Sequence, residues 1–206
     1  MTTPRHFSMI RSFHLADFLT LANAACGVAS VLFAAAYGAR GDIAYFFVAA
    51  ALAPAALVFD VLDGRVARSR HTQSAFGREL DSLADVISFG VAPAALGFAA
   101  GLTGVLDWIA LLYFACCGVS RLARYNVTAE AMAKETGKVT YFEGTPIPTS
   151  VVIVGVLAFA ASQGRIGDAI YGGVWMLGPA ALHPLSLLYV LSGTLMVSKT
   201  LRIPKL

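Results

Sequence analysis

Six apolar segments follow one another along this chain, at Leu15–Tyr37, Ala44–Leu62, Leu80–Ala100, Val105–Val119, Ile147–Ala161 and Ala180–Val197. A helix needs roughly 20 apolar residues to cross the hydrocarbon core of a bilayer, fewer where its ends are buried in protein. A lone apolar strand would leave its amides unpaired in lipid, so each segment is expected to be helical. Composition agrees: of 206 residues, 58% are hydrophobic and 13% charged, about half the charged share of a soluble domain. This excludes ordinary soluble enzymes, disordered chains and disulfide scaffolds. Six crossings and their loops leave no room for a separate soluble domain, so a single membrane domain is expected over residues 1–206. The expected fold class is an all-α integral membrane protein with six transmembrane helices. Cys26, Cys116 and Cys117 lie in apolar segments without metal-ligand or redox spacing, and are expected to be small core residues. The stretch Arg165–Gly178 is left as an interfacial turn or an extension of a neighbouring helix.

The basic residues give the orientation. All fifteen except Arg40 and Arg165 fall in the leader, the second and fourth loops and the tail. Basic loops stay cytoplasmic, so both termini are expected on the cytoplasmic side. Ala22-Asn23-Ala24 resembles a signal-peptide cleavage site, but the apolar run continues to Tyr37, well past a typical signal core. Residues 1–14 mix Phe7, Met9, Ile10 and Phe13 with arginine and histidine, which suits a short amphipathic helix in the membrane interface.

Asp60, Asp63, Asp81 and Asp85 break the apolar pattern at the ends of the second and third segments. An isolated carboxylate inside a spanning helix costs several kcal/mol, so such residues mark function by default. Asp60, Asp63, Gly64, Ala67 and Arg68 occupy one helical stripe, and Gly77, Asp81 and Asp85 another. If the two helices form a hairpin, four carboxylates converge on one cleft. Like charges that close require cations, and carboxylate oxygens suit hard divalent ions. Gly64, Gly77 and Ala67 keep the wall low, and Arg68 offers a planar fork for phosphate. Together they suggest a nucleotide diphosphate held through metal ions. An ordinary salt-bridge network at two helix ends is the plainer alternative.

The run from Asp60 to Arg68, an eight-residue spacer, and the run from Gly77 to Asp85 resemble the CDP-alcohol phosphatidyltransferase signature, D-x-x-D-G-x-x-A-R then G-x-x-x-D-x-x-x-D. The resemblance implies a six-helix membrane enzyme, commonly a homodimer. It implies that Asp60, Asp63, Asp81 and Asp85 bind divalent metal, Mg²⁺ or Mn²⁺, as a pair of ions. It implies that Asp60, Asp63, Gly64, Ala67, Arg68, Gly77 and Asp81 form the CDP-lipid site, and that Asp85 is the catalytic base. The expected setting is a bacterial or archaeal cell membrane, with the active site facing the cytoplasm.

Flanking residues are similar to the phosphatidylserine synthase branch of that family: Arg65-Val66, Asp81 to Pro93, Arg121 to Asn126, and Phe142 to Pro148. In the first segment Thr20, Asn23 and Gly27 match the branch pattern, whereas Ala16 and Asp17 replace its Pro and Asn; Asp17 then serves as a helix cap. The branch implies transfer of a phosphatidyl group from CDP-diacylglycerol to L-serine, giving phosphatidylserine and CMP. Arg121 and Arg124 are the candidate holders of the serine carboxylate, with positive-inside anchoring as the alternative. Glycerol 3-phosphate, inositol phosphate or choline are the rival acceptors, and a membrane cation carrier is the rival outside this enzyme class. No nucleic-acid signature is present, so the expected partners are the two substrates, membrane lipid and a second copy of the chain.

Minor features complete the expectations. Gly97 to Gly101 forms a GxxxG packing face, within or between protomers. Pro54 and Pro93 kink their helices, Thr145, Pro146 and Pro148 make a rigid lead-in to the fifth helix, and Asp107-Trp108 anchors the far interface. His183 is satisfied within the helix bundle, and His71 is a solvated loop residue.

Overall fold

A computed structural model describes residues 13–70, 74–136, 141–200 and 202–204, with side chains described for all of these except 129–136, 141–143 and 202–204. Of the interfacial segment expected over 1–14, only Phe13 and His14 fall within this range. Arg5, Arg11, His71, Lys138 and Lys205 lie outside the described residues.

Helix occupies most of every apolar segment. α1 runs Leu15–Arg40, α2 Ile43–Ser69, α3 Ala75–Asp85, α4 Ala92–Ala99, α5 Val105–Thr136, α6 Val151–Ser162 and α7 Leu187–Val197. A π-helical turn, Val86–Val91, joins α3 and α4 into one rod, and short 3₁₀ turns at Ile147–Ser150 and Pro184–Ser186 lead into α6 and α7. Four helices are long and apolar enough to cross a membrane: α1, α2, the rod Ala75–Ala99, and the first part of α5, Val105–Thr128. Ile147–Ser162 and Pro184–Val197 are shorter apolar helices. The chain is an all-α integral membrane protein, relieved by two small antiparallel pairs: β1 (Tyr141–Glu143) with β4 (Arg202–Pro204), and β2 (Trp175–Leu177) with β3 (Ala180–Leu182).

One boundary differs from expectation, and one that was left open takes its turn alternative. The sixth segment begins as strand β3 and turns helical only from Pro184, whose fixed φ and missing N–H suit a helix start. The stretch Arg165–Gly178 extends neither neighbouring helix. Gly167, Gly172, Gly173 and Gly178 all take positive φ, which ends helix and instead builds a turn and a hairpin.

Small residues set the packing. α1 ends at Gly41, φ 71°, and Asp42 caps α2 by accepting the Ala44 N–H at 2.9 Å, so the two helices fold back against each other. Ala34, Ala49, Ala50, Ala53 and Ala56 are buried, and Ser30 Oγ donates to the Ala49 carbonyl at 2.8 Å. Without a hydrophobic difference between lipid and helix, such close contacts and hydrogen bonds carry association. The rod is held the same way. A Cβ on Gly27 would lie 2.5 Å from Ser88 Oγ, which donates to the Asn23 carbonyl at 2.8 Å.

The GxxxG face is used inside the chain: Gly97 accommodates Tyr189 Oη, 2.5 Å from where a Cβ would stand, and Gly101 lies against Gly167. Tyr189, fully buried, donates to the carbonyl of Pro93, the proline that follows the π turn, at 2.8 Å. Pro54 stands inside α2. Gly144, φ 71°, and Pro146 form the expected lead-in to α6, and place Ile147 against Gly118 and Gly90.

Asp107 corrects an expectation. It is fully buried rather than interfacial, accepting the His183 N–H at 2.8 Å and meeting His183 Nδ1 at 2.6 Å. Asp107 Oδ2 also accepts the Gly104 N–H at 2.9 Å, so the buried carboxylate is paired on both sides. Trp108 remains half exposed.

Candidate active site

Three helix ends meet at the basic end of the bundle: the start of α1, the end of α2 and the start of α3. The α2 stripe and the α3 stripe face each other as the hairpin expectation required. Carboxylate oxygens of Asp60, Asp63 and Asp81 lie within 4.8 Å of one another. Two oxygens bound to one Mg²⁺ or Mn²⁺ at about 2.1 Å stand no further apart than about 4.2 Å, and small side-chain adjustments close that gap. Asp81 Oδ1 is buried and has no hydrogen-bond partner among the described residues. Buried carboxylates without nearby cations are costly, so this oxygen set fits a divalent ion.

α1 completes the cluster. Thr20 Oγ1 lies 2.6 Å from Asp63 Oδ2 and donates to it, and Asn23 Nδ2 donates to Asp85 Oδ1 at 3.3 Å. Asp85 is buried just before the π turn, outside the group of three, with Asp60, Asp81 and Asp63 as electrostatic neighbours. Asp17 accepts the His14 N–H at 2.7 Å, the expected cap, and also lines the cleft.

The cleft is a cavity of about 530 Å³. Its walls include Asp63, Gly64, Ala67, Arg68, Gly77 and Asp81, together with Asp17, Thr20, Ser74, Arg78 and Tyr125. Asp60 and Asp85 lie beside this cavity rather than on its wall. Gly64 leaves space into which the Arg68 guanidinium folds, its Nη1 3.4 Å from where a Cβ would sit. A Cβ on Gly77 would lie 3.2 Å from both Asp17 Oδ1 and Ser74 Oγ, narrowing the cleft at that point. Ser74 caps α3 by accepting the Gly77 N–H at 2.9 Å, so the positive end of that helix dipole lies along the cavity.

The two candidate acceptor arginines separate. Arg121 is buried and has Asp85 as an electrostatic partner, with its guanidinium 5.5 Å from the Tyr125 ring centroid. Its Nε has no hydrogen-bond partner among the described residues. Arg124 donates to the Val197 carbonyl at the end of α7, at 3.3 Å.

A sequence profile of the CDP-alcohol phosphatidyltransferases matches residues 13–191. The chain belongs to that family. Among its relatives is the CDP-diacylglycerol–serine O-phosphatidyltransferase of Saccharomyces cerevisiae, 42% identical over 203 residues, covering 97% of this chain and 74% of the relative. The enzyme of the same name from Mycobacterium leprae is 35% identical over 163 residues, covering 78% of this chain and 52% of its own length. That from Methanocaldococcus jannaschii is 33% identical over 148 residues, covering 72% and 62%.

Every family-signature residue therefore sits in or beside one cleft. The signature alone did not point to the α1 contribution or to Tyr125 and Arg78. A signal for α1 was present: Asp17, Thr20, Asn23, Gly27 and Ser30 recur at helical spacing, and all are buried on one face of an otherwise apolar helix.

Proposed function

We propose that this chain transfers the phosphatidyl group of CDP-diacylglycerol to the hydroxyl of L-serine, releasing CMP and phosphatidylserine. The observation that carries the reading is the carboxylate trio of Asp60, Asp63 and Asp81 at a cavity with low walls and an arginine, with Asp63 and Asp81 on its wall and Asp60 beside it. Family membership supports the chemistry, and the serine-specific relatives support the acceptor.

Asp60, Asp63, Asp81 and Asp85 hold two divalent ions, Mg²⁺ or Mn²⁺. When bound, these ions neutralise the diphosphate and stabilise the charge developing on departing CMP. Gly64, Ala67 and Gly77 let the diphosphate approach the backbone, while Arg68 and the start of α3 supply further positive potential. Asp85 takes the proton from the serine hydroxyl as its oxygen forms the new bond to the lipid-bearing phosphorus. The bond from that phosphorus to the CMP phosphate oxygen breaks, and the electron pair leaves with CMP. Asn23 orients Asp85 for this role. Arg121 receives the serine carboxylate beside Asp85, and Arg124 secures α7.

Ile147–Ser162 and Pro184–Val197 complete six crossings, with both termini and the cleft on the cytoplasmic side. The basic residues Arg65, Arg68, Arg78, Arg121 and Arg124 gather around the cleft end and support this orientation. The working unit is a homodimer whose seam lies elsewhere than Gly97–Gly101, since Tyr189 and Gly167 of the same chain fill that face.

An acceptor panel tests the reading. Purified protein with CDP-diacylglycerol and Mg²⁺ or Mn²⁺ releases CMP with serine, and not with glycerol 3-phosphate, inositol phosphate or choline. Release with one of the others instead overturns the acceptor. No release with any of them overturns the activity.

A further inference from the structure

At the end of the bundle away from the carboxylates, the chain between α6 and α7 forms a small apolar lobe. From Ala169 to Ser198 there is no Asp, Glu, Lys or Arg. β2 leaves all three of its side chains exposed, Trp175 at 56%, Met176 at 65% and Leu177 at 56%. Side chains alternate across a strand, so large apolar groups point from both faces of the hairpin. That arrangement is costly in water.

The lobe is firmly attached. Gly104, at the start of α5, lies against the Ala181 carbonyl so closely that a Cβ would collide with it. Asp107 accepts the His183 N–H at 2.8 Å, and Ser186 Oγ donates to the His183 carbonyl at 2.8 Å. The hairpin is therefore presented in a fixed position.

The helices it connects are short. Four residues of 3₁₀ turn and 12 of α-helix make α6 and its lead-in, a length of about 26 Å. Three and 11 residues make the α7 unit, about 22 Å. A hydrocarbon core is about 30 Å thick. The missing length on the far side falls on the lobe. β2 is also an outer strand of a two-stranded sheet, and unpaired strand edges are not tolerated deep in hydrocarbon. Those two constraints together leave the boundary between headgroups and acyl chains, where indole rings are favoured.

We propose that the hairpin Trp175–Leu182 is an interfacial anchor that docks onto the bilayer, seated at the headgroup–acyl boundary opposite the catalytic cleft. The proposal rests on the six-crossing reading, and on no part of the catalytic assignment.

Tryptophan quenching tests it, because the chain has only 2 tryptophans. Trp108→Phe leaves Trp175 as the reporter, in nanodiscs containing phosphatidylcholine brominated either near the headgroup end of the acyl chain or near its methyl end. Shallow bromines are expected to quench Trp175 about twofold or more strongly than deep ones, with acrylamide ineffective. Strong acrylamide quenching without bromolipid quenching places the hairpin in water and overturns the proposal. Stronger quenching by deep bromines overturns it in favour of a buried plug. Shielding from lipid and acrylamide alike overturns it in favour of a second copy of the chain. If Trp108→Phe does not fold, the difference between wild type and Trp175→Phe yields the same signal. Serine-dependent CMP release, measured separately, reports on the cleft, so failure of either assignment is recognised independently.

Discussion

Thr20 on the first helix donates a hydrogen bond of 2.6 Å to Asp63 on the second, forty-three residues away in sequence. In the proposed metal site the first span would thus belong to the ligand cage, because this bond fixes which Asp63 oxygen is left for an ion. Partners of this kind orient metal ligands, and losing one typically costs about 10–100-fold in metal affinity. Thr20→Val keeps the shape and removes the donor, so Mn²⁺ binding followed by electron paramagnetic resonance should weaken by about that factor. Thr20→Ser should retain it.

Asp85→Asn leaves the Asp60, Asp63 and Asp81 trio in place, so it should still bind CDP-diacylglycerol yet lose about 10²–10⁴-fold in turnover, the usual contribution of a positioned general base. Asp60→Asn should lose Mn²⁺ binding as well. Equilibrium binding and single-turnover CMP release on the same preparations separate the two effects. Full turnover by purified Asp85→Asn would remove the base assignment.

Arg121 and Arg124 are one helical turn apart, and the proposed function gives them different work. A charge-assisted hydrogen bond contributes about 1.5–3 kcal/mol, so Arg121→Ala should raise the serine KM by about 10–150-fold with little change for CDP-diacylglycerol. Arg121→Lys should recover only part, since an ammonium lacks the planar fork. Arg124→Ala should leave the serine KM unchanged and lower the thermal midpoint through loss of its bond to α7. Equal KM effects in both would count against the division.

Gly97→Ala should destabilise the protein by about 1–3 kcal/mol, the cost of overpacking a tight contact. Tyr189→Phe removes the Oη that meets the new methyl, and in the double variant part of that loss should be recovered. Denaturation in detergent, read as a double-mutant cycle, measures the coupling.

The helical character of the apolar segments and the stripe carrying Asp60, Asp63, Gly64, Ala67 and Arg68 were legible because both follow from local spacing. Hydropathy marks a helix buried in lipid, and a polar residue on such a helix must find a partner. What lay beyond the sequence was long-range pairing. Nothing near Asp107 announces that its partner is His183, seventy-six residues later, so an end-of-helix acid looked interfacial. The hairpin at Trp175–Leu182 was hidden for a related reason: Ala180–Leu182 is as apolar as the helix it precedes, and only the positive-φ glycines before it signal a turn. Arg121 and Arg124 looked equivalent because nothing local announces that Arg124 meets the Val197 carbonyl, seventy-three residues later.

α5 continues for 32 residues, about 48 Å of helix against a core of about 30 Å. Only its first part, Val105–Thr128, is apolar enough to span a membrane, and Arg121 falls in the last third of that part. On the orientation proposed above, the cleft lies where two phases touch. A small hydrophilic acceptor and a departing nucleotide can exchange directly with water. The diacyl tails of donor and product never leave the leaflet, and the lipid changes its headgroup without changing its solvent.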